Sequence, residues 1–173
     1  IVGTQAVSEP LVKLIAGTGY QISSDVLKLL IVALIGVFLG ALYGHLIIAL
    51  NKQKQMTWAY VIVAIFSIAG YMWLIPEHGM WGAVYVTLAA EALISLIAFI
   101  VVYKVSGAKP KLTTTLKAIF ASLIMYIYLI NIQSFSVLLD IIIGAIIYAI
   151  LMIIIKGIDV QQIKKLIPTK KVV

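Results

Sequence analysis

The sequence predicts an all-α integral membrane protein built from five antiparallel spanning helices. Three observations carry this. Hydrophobic residues fill 64% of the 173 positions, against about 45–50% apolar in soluble domains. Only 11% of residues are charged, too few to cover a water-facing surface, and the mean hydropathy is +1.17. Finally, five stretches reach the roughly 20 mostly apolar residues needed to cross about 30 Å of hydrocarbon.

The stretches fall, in order, over about 26–50, 57–76, 80–104, 112–132 and 135–155. Residues 1–25 read as an extracytoplasmic segment. Its first seven residues are the stub of a preceding helix, and Glu9 to Gly17 forms a short helix begun by Pro10 and ended by glycine. The chain opens at Ile1 without methionine, so we read it as a piece of a longer protein. The connections between spans are short. Asn51-Lys-Gln-Lys-Gln55 follows the first span. Pro76-Glu-His-Gly79 follows the second, with proline stopping one helix and glycine turning the chain. Ser106 to Pro110 and Asn131 to Ser134 make the other two turns, and residues 156–173 form a basic tail. Helices joined this tightly run antiparallel.

Charge sets the orientation. The net charge of +7 comes from lysine alone, because arginine is absent. Lys52, Lys54, Lys104, Lys109, Lys111, Lys117, Lys156, Lys164, Lys165, Lys170 and Lys171 all fall on one side when five spans alternate. The opposite connections carry only Glu77 and His78. The excess of lysine marks the cytoplasmic side, which makes the C-terminus cytoplasmic. Interleaved with spans, these lysines indicate a membrane protein and not a partner of nucleic acid. With no cysteine there is neither a disulfide nor a thiolate site. The two histidines lie on opposite sides by this topology, so no metal site is expected. No phosphate-cradling glycine loop, His-Glu-x-x-His or Gly-x-Ser-x-Gly is present. The reading is therefore not an enzyme and implies no cofactor. It leaves transport, or packing within a larger assembly.

Several residues stand out within the spans. Gly36, Gly40 and Gly44 recur every four positions in the first span, the spacing of a helix-packing groove. Three glycines also soften a helix, which leaves a hinge open. Glu91 lies near the middle of the third span, on a face with Ala83, Thr87, Ala90, Ile94 and Ala98. A charge there costs at least about 2.5 kcal/mol on insertion scales, so Glu91 is a candidate for binding substrate or a coupling ion. The other reading is a carboxyl held structurally by a neighbouring helix. Lys117 and Asp140 are further candidates. Lys117 shares a face of the fourth span with Thr114, Ala121, Tyr128 and Asn131, and Asp140 one of the fifth with Ser136, Gly144 and Tyr148. The tight turn between these spans brings Asn131 to the level of Asp140. Snorkelling to the headgroups is the plainer use of Lys117. His45, away from the glycine row near the cytoplasmic end of the first span, is a candidate with a plain interfacial alternative.

Three segments resemble the C-terminal half of bacterial polysaccharide flippases, the Wzx-type members of the multidrug/oligosaccharidyl-lipid/polysaccharide exporter superfamily. They are Pro10-Leu-Val-Lys-Leu-Ile-Ala-Gly-Thr-Gly-Tyr20 with Ser24 and Val26-Leu-Lys-Leu-Leu30; Leu50-Asn-Lys-Gln-Lys54; and Leu74-Ile-Pro-Glu-His-Gly-Met-Trp-Gly-Ala83 followed by Thr87 and Glu91. They span about residues 9–105. The resemblance implies most of one bundle of a two-bundle exporter in the bacterial cytoplasmic membrane, completed by the N-terminal half of the same protein. It implies transport by alternating access of an undecaprenyl-pyrophosphate-linked oligosaccharide, with membrane lipids as the surrounding partner. Cavities of such proteins often hold the anion with arginine, which this chain lacks. A drug/cation antiporter and a peptidoglycan-precursor flippase belong to the same superfamily. A membrane glycan polymerase or ligase is the alternative of a different class, although the expected outer connections here are short.

Overall fold

A computed structural model describes residues 1–107, 112–131 and 136–157. Among them every regular element is an α-helix: α1 Val2–Ala16, α2 Gln21–Ala49, α3 Gln53–His78, α4 Met80–Ser106, α5 Leu112–Asn131 and α6 Val137–Ile154. The five from α2 to α6 are long and apolar enough to cross a membrane. Their surfaces agree. Phe66, Met72 and Trp73 on α3 are 69%, 75% and 70% exposed, which water would penalise and hydrocarbon does not. This is an all-α membrane protein.

Several boundaries differ from the sequence expectation, among them the start of α3, at Gln53 and not near 57. The stub and the short helix before the first span are one helix, α1, with Pro10 inside it. Proline deprives one carbonyl of its donor, and the rest of the helix carries through that single gap. α2 starts at Gln21, five residues ahead of the apolar run, because the mostly polar segment Gln21 to Asp25 continues the helix ahead of it. Pro76 does not stop α3, which runs on to His78. Pro76 deprives the Met72 carbonyl of its helical donor, the helix carries through that gap as α1 does at Pro10, and the break falls at Gly79, whose φ of 56° suits a residue without Cβ. The link from α3 to α4 is thus this single glycine. Residues 108–111, 132–135 and 158–173, which include most of the expected turns at 106–110 and 131–134 and most of the tail with Lys109, Lys111, Lys164, Lys165, Lys170 and Lys171, lie outside the described residues.

The chain divides into two compact units, one holding α1 to α4 and the other α5 and α6. In the first, α4 is the central helix. It packs along both α2 and α3, which touch each other far less. Two glycines allow the hairpin of α3 and α4 to close. A Cβ on Gly82 would run into the backbone carbonyl of Leu74 and lie 2.9 Å from the amide nitrogen of Ile75. One on Gly70 would sit 3.1 Å from Val86. At the other end of this hairpin Ile47, Met56, Ala59, Val63, Ile94, Ala98 and Val102 bury one another, with α2 contributing Ile47. Pairs along α2 and α4 ascend together, Gly36 beside Glu91 and Gly40 beside Ile94, so these two helices are parallel while α3 runs against them.

In the second unit α5 buries Ala121, Met125 and Leu129, an i, i+4 row. Gly144 of α6 accommodates Leu129, whose Cδ1 lies 3.2 Å from where a glycine Cβ would be.

Candidate functional site

The arrangement of the first unit leaves an open groove. Because α2 and α3 both lean on α4 and separate from each other, a cavity of about 710 Å³ remains, walled by α2 and α3 and floored by α4. Its walls are mostly apolar, but His45, Gln53, Thr57, Tyr60, Ser67 and Glu91 supply polar atoms. At one end lies Gln53, flanked by Lys52 of the turn and Lys54 of the first turn of α3, and further along α4 lies Glu91.

Glu91 is the twelfth residue of the 27 in α4, about 16 Å from its start at 1.5 Å per residue. It is half-buried. It lines the groove and also a second, more apolar cavity of about 610 Å³ bordered by α2 residues Ala33, Gly36 and Tyr43 and by Phe99. Glu91 therefore stands on the seam where α4 meets α2. The seam is closed by Gly36. A Cβ there would lie 2.7 Å from the Glu91 carbonyl oxygen and 2.9 Å from its Cβ. Among the described residues the Glu91 carboxylate has neither an ion pair nor a hydrogen bond. The hydroxyls nearby are differently placed. Thr87 donates to the Ala83 carbonyl at 2.9 Å, so the contact of 3.1 Å between Thr87 Oγ1 and Tyr71 Oη has the tyrosine as donor. That bond ties α3 to α4. Ser67 donates to Val63 and Thr57 to Gln53, each one turn back. Their oxygens keep acceptor capacity on the groove side.

The glycine row does not act as one packing face. Only Gly36 meets backbone. Gly40 has Ile94 Cγ2 at 3.9 Å, an ordinary contact, and Gly44 has no atom within 4 Å. Both line the groove. The reason is geometric. At 3.6 residues per turn an i, i+4 row winds about 40° per step, so Gly44 is turned about 80° from Gly36. His45, expected to lie away from that row, lines the same groove as Gly40 and Gly44 and is exposed.

Lys117 and Asp140 belong to the second unit. Lys117 continues the buried row of α5, and its Nζ donates to the Lys156 carbonyl at 3.1 Å, just past the end of α6. Asp140 is in the first turn of α6. An acid at the start and a cation at the end match the helix dipole. Both charges thus have a structural role in this helix pair. Asn131 is exposed and donates to the Ile127 carbonyl of its own helix at 2.7 Å. Among the described residues no three metal-ligating side chains converge.

Gly70 and Gly82 carry close packing that the search for regular spacing passed over. Their signal was their position on either side of the Gly79 turn, where a hairpin of two helices must approach closely.

Comparison with known protein families, with curated proteins and with solved structures finds no match.

Proposed function

We propose that this chain is part of a transporter that moves a lipid-linked oligosaccharide across the bacterial cytoplasmic membrane by alternating access. The observation that carries the reading is the groove: about 710 Å³ along membrane-length helices, with hydroxyl, amide, imidazole and carboxylate groups on apolar walls. Isolated polar groups on a wall facing hydrocarbon are costly, and they mark water-filled substrate paths in membrane proteins. Sugars match such a lining, because hydroxyls both donate and accept. The resemblance of residues 9–105 to polysaccharide flippases gives the substrate class. Charge divides the groove. Lys52 and Lys54 flank Gln53, which lines one end of the groove, and the interior carries Glu91. A pyrophosphate belongs at the lysine end, with the glycan lying toward Glu91. The N-terminal half of the protein then covers the open side, and the lysine-bearing ends face the cytoplasm.

Glu91 also favours a second reading, a cation-coupled drug antiporter, because the groove interior bears a carboxylate and no lysine. Two variants in the complete protein separate them. Under the flippase reading Lys52→Gln combined with Lys54→Gln lowers export of surface glycan in a complementation assay. Under the antiporter reading those changes leave glycan export intact, and Glu91→Gln abolishes gradient-driven efflux of a cationic dye. Full glycan export in both the double lysine variant and Glu91→Gln refutes the flippase reading.

A further inference from the structure

A smaller pocket lies away from the groove, where α1 ends and α2 begins. It has a volume of about 100 Å³ and is lined by Glu9, Val12, Lys13, Gly17, Thr18, Tyr20, Gln21 and Ser24. That is the space of about three waters, or of one tetrahedral oxyanion. Ser24 is only 3% exposed, and its hydroxyl, which opens on the pocket, makes no hydrogen bond among the described residues. Ser24 Oγ itself keeps a little accessible surface, so its partner can come from the pocket. Glu9 and Lys13 are one turn apart on α1, the spacing of a helical ion pair, yet they form none with each other or with other described residues. The N-cap Tyr20 supplies no side-chain bond to the start of α2, so first-turn amides of a 29-residue helix lack a side-chain cap. On the other side α1 ends at Gly17, which also lines the pocket.

The pocket is therefore polarised. Lys13, the Ser24 hydroxyl and the start of α2 favour an anion. Glu9 and the carbonyl end of α1 favour a cation. Its depth is defined as well. α2 is about 43 Å long, against about 30 Å of hydrocarbon, and its first turns carry Gln21, Ser23, Ser24 and Asp25. These turns lie at headgroup level, with apolar Val26 onward entering the bilayer.

We propose that this pocket binds the phosphate of a phosphoethanolamine group on Lys13, Ser24 and the α2 amides, with the ammonium reaching exposed Glu9 at its rim. The source is either the headgroup of a membrane phospholipid or a soluble phosphoethanolamine ester. The test is native mass spectrometry of the full chain released from nanodiscs of equal phosphatidylethanolamine and phosphatidylglycerol. The expected result is selective retention of phosphatidylethanolamine. Lys13→Gln and Ser24→Ala each weaken retention about tenfold, the loss expected when one hydrogen bond to a charged group goes, and Lys13→Arg restores it. Glu9→Gln keeps lipid binding but removes the preference over phosphatidylglycerol. Soluble phosphoethanolamine added at millimolar concentration identifies the source: displacement of lipid points to the soluble ester, and persistence of lipid points to the membrane. Thermal unfolding of each variant confirms that the fold survives. Equal retention of both lipids by the unaltered chain, or retention unchanged in a folded Lys13→Gln and Ser24→Ala pair, overturns the proposal.

Discussion

Replacing Gly36 with alanine adds one methyl group at the tightest point of the α2–α4 seam. The new Cβ would lie 2.7 Å from the carbonyl oxygen of Glu91, 2.8 Å from its carbonyl carbon and 2.9 Å from its Cβ. These are backbone and near-backbone atoms, so no flexible side chain can yield, and the helices must separate. Overpacking of this kind costs about 1–3 kcal/mol. Alanine also returns up to about 1 kcal/mol through its higher helix propensity. The control is Gly44→Ala, where nothing lies within 4 Å and only the propensity gain operates. That gain is common to both variants, so the difference between them isolates the seam. It corresponds to roughly a 5- to 150-fold difference in the unfolding equilibrium. Unfolding of the purified chain by SDS titration in mixed micelles, followed by tryptophan fluorescence, measures it. Coincident curves for Gly36→Ala and Gly44→Ala would refute the close backbone approach at Glu91.

Gly82→Ala should cost at least as much as Gly36→Ala, because its Cβ meets the Leu74 carbonyl head-on, and the same titration reads it. Tyr71→Phe removes the donor to Thr87, and an interhelical bond in membranes averages about 0.6 kcal/mol; a loss above 2 kcal/mol would mean that the hydroxyl does more than tie α3 to α4. The chain has no cysteine, so single cysteines report topology directly. In intact cells those at Lys52 and Lys54 should be shielded from an impermeant thiol reagent and one at Glu77 should react, while the opposite pattern inverts the orientation.

The membrane class and five long helices were legible because each span carries its own signal: about twenty apolar residues mean one thing at any neighbour. Pro76 shows where local signals mislead. Proline removes one helical hydrogen bond without necessarily ending the helix, as at Pro10 in α1, and the residue with positive φ that ends α3 is Gly79. The glycine row was legible as a feature and not as a contact. Spacing gives the face of a helix, while the crossing of α2 over α4 decides which part of that face meets backbone. Gly36 lies at the crossing and Gly44 beyond it. Lys117 and Asp140 drew notice as charges in apolar spans, and sequence could not say that they sit near opposite ends of α6, where the dipole accounts for both.

Glu91 differs from those two charges. Lys117 has a carbonyl within reach and Asp140 a helix start, whereas the Glu91 carboxylate has no hydrogen bond or ion pair among the described residues. The close packing at Gly36 bears on this directly. It fixes the backbone of Glu91 against α2, so the carboxylate is held at one depth on the boundary of two cavities and cannot retreat with its helix. A mid-span carboxylate held in this way needs a counterpart in water, a solute, an ion or another part of the protein, since hydrocarbon offers none. The same rigidity separates position from charge experimentally. Gly36→Ala moves Glu91 and leaves its charge, while Glu91→Gln leaves the seam and removes the charge. If Glu91 serves transport, both variants impair export in the complete protein, but only the first lowers stability of the fold. If Glu91 is held for structure alone, export follows stability in both.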